Sequence, residues 1–340
     1  MVVWEKFEGH PSEWDSLLLN SSDYTIFQTY AWGDFKQANG WLPLRLVGKH
    51  SSKGVVGMVQ VLIKMMPFGF GIGWAAGGPV MYFNQDINQL SPADLSDLLT
   101  YLHGHYPRVL FRFHSHFPRN STDSYLFSQV FKIPFLKINS GFTLGMNIEK
   151  GDIEFSAGMT SKHRYYFKKA KNLCLTWSYL SGDLEIEELA GIHRNMVSIK
   201  KLRESPVSKN DLILLRDKLG SDRVSIIIGY LNSIPVVGCM TYDFGNKSIY
   251  MIAGATHHGR EISASYAMVG ELIQVLGHKG VKEFDFGGID PCNPDAKGVD
   301  HFKRGFGGLI VEQLGEWESA SSQMLRFFLN SVLWIKSKIA

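Results

Sequence analysis

One order of secondary-structure elements occurs twice in this sequence, and it restricts the fold more than any other feature. In the first half, Val55–Met66 reads as a β run, followed by a glycine-rich turn over Gly69–Pro79. Ser91–His105 then reads as a helix: Ser91 suits the N-cap, Pro92 the first turn, and Leu95, Leu98, Leu99 and Leu102 share one face. Val109–Phe113 follows as a strand. In the second half, Ser225–Leu231 and Pro235–Phe244 read as strands joined at the turn pair Asn232-Ser233, and Ser248–Ala253 as a third strand. After a loop over Gly254–Arg260 comes a helix, Ser263–His278, with Ala264, Met268, Leu272, Val275 and Leu276 along one face. Val281–Phe286 closes the unit as a strand. Helix and closing strand recur 172 positions apart, Ser91 to Ser263 and Val109 to Val281. Two copies of one α/β unit account for this order; one large α/β domain is the alternative.

Composition agrees with a folded chain of about two domains. There are 340 residues, 45% hydrophobic and 20% charged, which is too apolar for disorder. A mean hydropathy of -0.05 and the lack of roughly 18 uninterrupted apolar residues exclude a multispanning membrane protein. The opening MVVWEKFEGHPSEW has no basic segment followed by an apolar core, so no secretory signal is expected. Cys174, Cys239 and Cys292 lie far apart, which suits neither a disulfide framework nor a zinc knuckle and fits a reducing cytoplasm. A net charge of +3 does not predict a nucleic-acid-coating protein, although local basic clusters can hold phosphates. One such cluster is Ser161–Asn172, where Lys162, Arg164, Lys168, Lys169 and Lys171 surround Tyr165, Tyr166 and Phe167. The tail Ser321–Ala340 reads as an amphipathic helix with Met324, Phe327, Phe328, Leu333, Ile335 and Ile339 on the side expected to pack on the core. Its Arg326, Lys336 and Lys338 also suit an anionic membrane surface.

Chemistry concentrates in Val281–Glu318. A strand ends in Phe286-Gly287-Gly288, and a polar loop leads to Phe302-Lys303-Arg304-Gly305-Phe306-Gly307-Gly308. Glycines after a strand let backbone N–H groups approach an oxyanion, and a neighbouring lysine can stabilise charge developing on a carbonyl oxygen or leaving group. A glycine-rich connection with an exposed lysine is the plain alternative.

Ser263–Glu318 closely resembles the FemABX family of peptidoglycan bridge-forming aminoacyltransferases. The resemblance is carried by Ser265-Tyr266-Ala267-Met268, by Phe284-Asp285-Phe286-Gly287-Gly288-Ile289, by Gly298–Gly308 and by Val311–Trp317. It extends to Phe27–Gly33 with Lys36, to Gly77-Gly78-Pro79-Val80, and to Lys162-His163-Arg164-Tyr165 with Lys168-Lys169-Ala170. It implies an α/β fold of two tandem GNAT-like domains, mixed sheets flanked by helices. These would be residues 1–153 and 154–316, with a C-terminal helix over 317–340 packing back on the first. It implies a compact form without the coiled-coil arm of some members. The implied reaction moves an amino acid from aminoacyl-tRNA to an amine of a cell-wall precursor, with no covalent enzyme intermediate, metal or organic cofactor. The implied partners are the tRNA 3′ end and a peptidoglycan precursor, for a cytoplasmic monomer in peripheral contact with the inner face of the membrane.

By this resemblance Phe302 and Lys303 fall on the family's catalytic Phe-Lys pair. Lys36, beside Trp32, falls on a lysine that grips precursor phosphates. Lys201 and Arg203 are candidates for a second basic contact, and Tyr266, Gly287 and Gly288 for substrate binding. The sequence departs from the family at Gly77-Gly78-Pro79, where an arginine is missing, and at His114-Ser115, where Asp-Pro is frequent. His114 is a candidate proton acceptor there, against a plain histidine at a strand end. Two other readings remain open. A GNAT-like acyl-CoA N-acyltransferase would hold pyrophosphate at Arg260–Ser265, where serines replace the expected glycines. A non-catalytic double-GNAT scaffold would need no Phe302–Gly308 segment.

Overall fold

The computed structural model of the protein describes residues 2–83, 87, 88, 90–149, 151–200, 206–293 and 297–339. The chain forms two compact units, Met1–Phe142 with Val311–Ala340, and Thr143–Ile310. The sequence reading put these boundaries at 153 and 316. They fall earlier because residues 143–158 join the second unit, and residues 311–319, most of which pair along the strand Val109–Pro118, join the first.

The first unit opens with β1 (Val2–Lys6), α1 (Pro11–Leu19) and α2 (Tyr30–Ala38), then β2 (Leu42–His50), β3 (Gly54–Met65) and β4 (Gly71–Ala76). A small ribbon, β5 (Tyr82–Phe83) with β6 (Ile87–Asn88), precedes α3 (Pro92–His105), β7 (Val109–Pro118) and α4 (Ser121–Val130). The second unit contains β8 (Phe142–Asn147), α5 (Gly151–Gly158), α6 (Ser161–Lys171), β9 (Thr176–Ser178), α7 (Asp183–Lys200) and α8 (Lys209–Leu219). It continues with β10 (Val224–Leu231), β11 (Ile234–Phe244), β12 (Lys247–Ala255), α9 (His257–Glu261), α10 (Ala264–His278), β13 (Glu283–Ile289) and α11 (Lys297–Arg304). β14 (Leu309–Ser319) leads back to the first unit, which ends in α12 (Gln323–Ile339).

The duplicated order is visible as duplicated topology. In the first unit β2, β3 and β4 pair antiparallel, and the chain then crosses through α3 to lay β7 parallel to β4. In the second, β10, β11 and β12 pair antiparallel, and the crossing through α10 lays β13 parallel to β12. β1 extends the first sheet beyond β2 and β9 extends the second beyond β10. Local chemistry fixes these pieces. Ser91 caps α3, its hydroxyl accepting from the Asp94 N–H at 3.3 Å while Asp94 accepts from the Ser91 N–H at 2.9 Å. Asn232 and Ser233 take φ of 51° and 64°, the paired left-handed conformations of a two-residue hairpin turn.

Three expectations change. The glycine-rich turn after β3 contains β4, because Gly73 lies opposite Phe111 of β7, where a Cβ would come within 2.5 Å of the ring. β7 runs five residues beyond Phe113, so His114 lies inside a strand and not at its end. The connection before Gly305 is helical, which puts Phe302 and Lys303 on the last turn of α11.

α12 is tied to the first sheet by a buried polar network. Arg112 of β7 is fully buried; its guanidinium lies 3.4 Å from Glu316 and 3.3 Å from Glu318 of β14 and donates to Asn330 Oδ1 at 2.7 Å. Glu318 also accepts from Arg326 at 2.6 Å and from Asn330 Nδ2 at 3.0 Å. The inward residues of α12 thus include Arg326 and Asn330. Met324, Phe327, Phe328 and Ile335, which the periodicity assigned to the core side, are exposed. Burial of a polar network reversed the orientation that apolar spacing alone suggested.

Candidate functional site

The sequence candidates fall into two groups, one in each unit. In the second unit, the last residues of β13 include Gly287, which takes φ +78°, and Gly288. Lys303, half-buried on α11, donates from Nζ to the Gly288 carbonyl at 2.7 Å. Burial pushes its ammonium below its ordinary pKa, while the carboxylates of Asp285 and Asp300 pull it back up. Asp285 is held by the Thr143 hydroxyl and by the Gly287 N–H, which donates at 2.7 Å. Burial raises the Asp285 pKa against those two hydrogen bonds and the charge of Lys303. Asp285 was quoted in the sequence motif but given no role; only the fold shows that it fixes the left-handed Gly287 and faces the lysine charge.

An aromatic cluster forms around Phe302, the residue before this lysine. Tyr266 of α10 makes edge contacts with Phe302 at 5.3 Å and with His163 of α6 at 5.0 Å. Phe306 stacks on Phe286 at 5.6 Å and on Phe155 at 5.9 Å. His163 bridges α6 to α11: Nε2 lies 3.0 Å from the Phe302 carbonyl and Nδ1 3.0 Å from the Thr160 hydroxyl. Burial lowers its pKa, partly offset by the Phe302 carbonyl. Gly305 is required here, since a Cβ would stand 1.9 Å from the His163 ring. Gly307 is required too, with φ +92° and the Gly158 carbonyl 2.3 Å from where its Cβ would lie. The structure therefore brings Tyr266, Gly287, Gly288, Phe302 and Lys303 into one cluster, with His163 as the residue that sequence reasoning placed only in a motif. Lys201 and Arg203 lie outside the described residues.

In the first unit, Thr29 caps α2 through the Trp32 N–H, and this helix presents Trp32 and Lys36 together. Lys36 Nζ lies 4.7 Å over the Trp32 ring and 5.2 Å from the Phe35 ring. Burial lowers its pKa. Trp32 contacts Phe27 at 5.0 Å, Phe27 contacts His116 at 5.3 Å, and His116 contacts His114 at 4.7 Å. Arg112, His114 and His116 share one face of β7 by the two-residue period.

His114 is 6% exposed, between Ala76 of β4 and Glu316 of β14, so it is not a surface histidine. Burial holds its ring toward the neutral form, while Glu316 and Gln313 act the other way. Burial, and then the neighbouring His114, push His116 well below its ordinary value. His116 was missed because the strand was cut at Phe113; continued alternation past that residue was the available signal. The missing arginine also has a steric reason. A Cβ at Gly77, with φ +68°, would meet the Thr25 hydroxyl at 2.0 Å.

Residues 223–332 match the model of the FemAB family. That span holds β13, α11, the Lys303 cluster and the glycines around it. The whole chain superposes on the crystal structure of FemX with a TM-score of 0.84, covering 96% of this chain and all of the other at 16% identity. A tandem GNAT protein from the clavulanic acid biosynthesis pathway superposes at 0.57 over 95% of this chain with 9% identity, covering 99% of that structure. The fold is thus a tandem GNAT-like α/β fold, shared with FemX. A curated relative, the lipid II:glycine glycyltransferase of Staphylococcus haemolyticus (strain JCSC1435), is 26% identical over 161 residues. The match spans 44% of this chain and 38% of that relative's length.

Proposed function

We propose that this chain is a FemAB-type aminoacyltransferase that moves an amino acid, glycine first among candidates, from the ester of a charged tRNA to an amine of a lipid-linked peptidoglycan precursor. The observation that carries this reading is Lys303: a half-buried ammonium on a glycine carbonyl, next in the chain to Phe302, which packs on Tyr266, inside the stretch that matches the family. The glycyltransferase relative supports the choice of amino acid and acceptor.

An aminoacyl ester is already activated. The acceptor nitrogen forms a bond to the ester carbonyl carbon, the carbonyl oxygen carries the negative charge of the tetrahedral intermediate, and the bond between that carbon and the ribose oxygen breaks. One proton leaves the amine and one reaches the departing ribose oxygen. Lys303 stabilises the charge that appears on oxygen, which lowers the barrier more than it strengthens ground-state binding. Phe302 and Tyr266 provide the apolar wall that makes this charge interaction strong. Gly287 and Gly288 leave room beside it for the terminal nucleotide or its aminoacyl group. In the first unit, Lys36 on Trp32 supplies a cation for the precursor's phosphates, and neutral His114 with His116 supplies proton-accepting nitrogens.

The test is incubation with a mixed pool of charged tRNA and either lipid II or its soluble nucleotide-linked counterpart, read as the mass shift of the acceptor. A shift of one amino-acid residue is expected. Acetylation from acetyl-CoA with no tRNA-dependent shift would replace this reading with the acyl-CoA one.

A further inference from the structure

The first unit carries a helix whose polarity is turned inside out. On α12, Leu329 and Asn330 are buried, and Arg326 and Asn330 spend their polar groups on Glu318 and Arg112. The outward face holds Met324 (85% exposed), Phe327 (57%), Trp334 (55%) and, beside them, Phe328 and Ile335. Their spacing keeps them on one side of the helix. Two other segments continue this surface. Phe135 stacks on Phe327 at 4.9 Å, between the exposed Ile133 and Ile138. Phe70 meets Phe328 at 5.1 Å, and the adjoining turn raises Phe68 to 84% exposure, its carbonyl held by Arg108 at 2.9 Å.

We propose that this surface docks the protein on an anionic lipid bilayer. The charges favour that occupant. Residues 65–70, 131–140 and 323–339 contain no Asp or Glu, yet include Lys132, Lys137, Lys336 and Lys338, while Arg326 is turned inward onto Glu318. Lys132, Lys137 and Lys336 are exposed, as is Arg108 at the edge. A second copy of the same face would set like charges against like, whereas acidic headgroups complement them. Phe and Trp on one side of a helix with cations at its margin suit insertion to the level of the headgroups. No described helix is long and apolar enough to cross a membrane, so the arrangement is that of a helix lying on the surface. The proposal does not rest on the proposed transfer, since the test uses lipids that carry no precursor.

The full chain is sedimented with phosphatidylcholine vesicles and with vesicles containing about one-third phosphatidylglycerol. Binding to the anionic vesicles is expected, weakening with salt. It should fall at least tenfold in the triple variant Phe68→Ser/Phe327→Ser/Trp334→Ser, and in Lys132→Glu/Lys137→Glu. These positions are exposed, so urea midpoints should match the parent and report intact folding. Equal binding by parent and variants, or none by the parent, overturns the proposal. A dimer in sedimentation velocity that the triple variant converts to monomer also overturns it, assigning the face to a second copy.

Discussion

Lys303 and Arg304 are adjacent cations with different surroundings, and the proposed chemistry depends on that difference. Lys303 is bound to the Gly288 carbonyl beside Phe302, whereas Arg304 is more exposed and 3.8 Å from Asp300. Lys303→Ala should lower kcat by about 10²-fold, the effect of one lost oxyanion donor, with a smaller change in KM. Arg304→Ala should leave kcat nearly unchanged; equal losses would mean that general basic character, not a placed ammonium, is at work. Lys36→Met removes a cation held over Trp32 and should raise the KM for a phosphate-bearing acceptor by about tenfold, since a charge-assisted contact is worth roughly 1.5–3 kcal/mol. An unchanged KM would reduce Lys36 to a helix-surface charge. Both lysines were singled out in the sequence, Lys303 by the long ordered match over Ser263–Glu318 and Lys36 by the shorter similarity at Phe27–Gly33. Asp285 and His163 were not given roles, because what they do depends on Thr143, Gly287 and Phe302, which are distant in the chain or bonded through backbone groups.

At the scale of elements, the sequence was informative wherever periodicity and caps coincide. α3 begins one residue after its capping Ser91, and the β10–β11 hairpin turns at Asn232-Ser233 as read. It was uninformative where tertiary contacts override local pattern. β4 is glycine-rich because Phe111 presses on it, and nothing in its own six residues announces that neighbour. α12 was read with its apolar side inward because Arg112, Glu318 and Asn330 come together only once β7 and β14 are paired. That network yields a prediction for the element. Arg112→Met leaves Glu316 buried without its cation and Glu318 with Arg326 alone, and breaking a buried pair from one side costs about 3–5 kcal/mol. Urea unfolding should show that loss, and α12 amides should lose hydrogen-exchange protection first. The double variant Arg112→Met/Glu316→Gln should recover part of it, because the carboxylate left without a cation is removed together with Arg112; a further loss equal to the first would show that the pair is not coupled.

For the whole molecule, acidification should act unequally on the two units. His103, His114 and His116 belong to the first unit and His163 to the second, and burial lowers the pKa of all four below the ordinary value of 6.5. A histidine with a depressed folded pKa is neutral in the native state while its unfolded counterpart gains a proton below about 6.5. The unfolded state then binds more protons, so stability is full above that pH and is lost as pH falls from 6.5 toward the folded values. Three such groups burden the first unit and one the second. Asp285, in the second unit, works the other way. Its folded pKa is raised from 3.8, so between 3.8 and that raised value the native state holds the extra proton, and acid favours the fold. Between pH 7.5 and 5, hydrogen exchange of the β3, β4 and β7 amides should therefore accelerate, after correction for intrinsic rates, more than that of β10, β11 and β12. His103→Gln/His114→Gln/His116→Gln should flatten the response of the first unit and leave the second unchanged. Identical pH slopes in the two units, or a slope in the first that survives removal of all three histidines, would locate the acid sensitivity elsewhere.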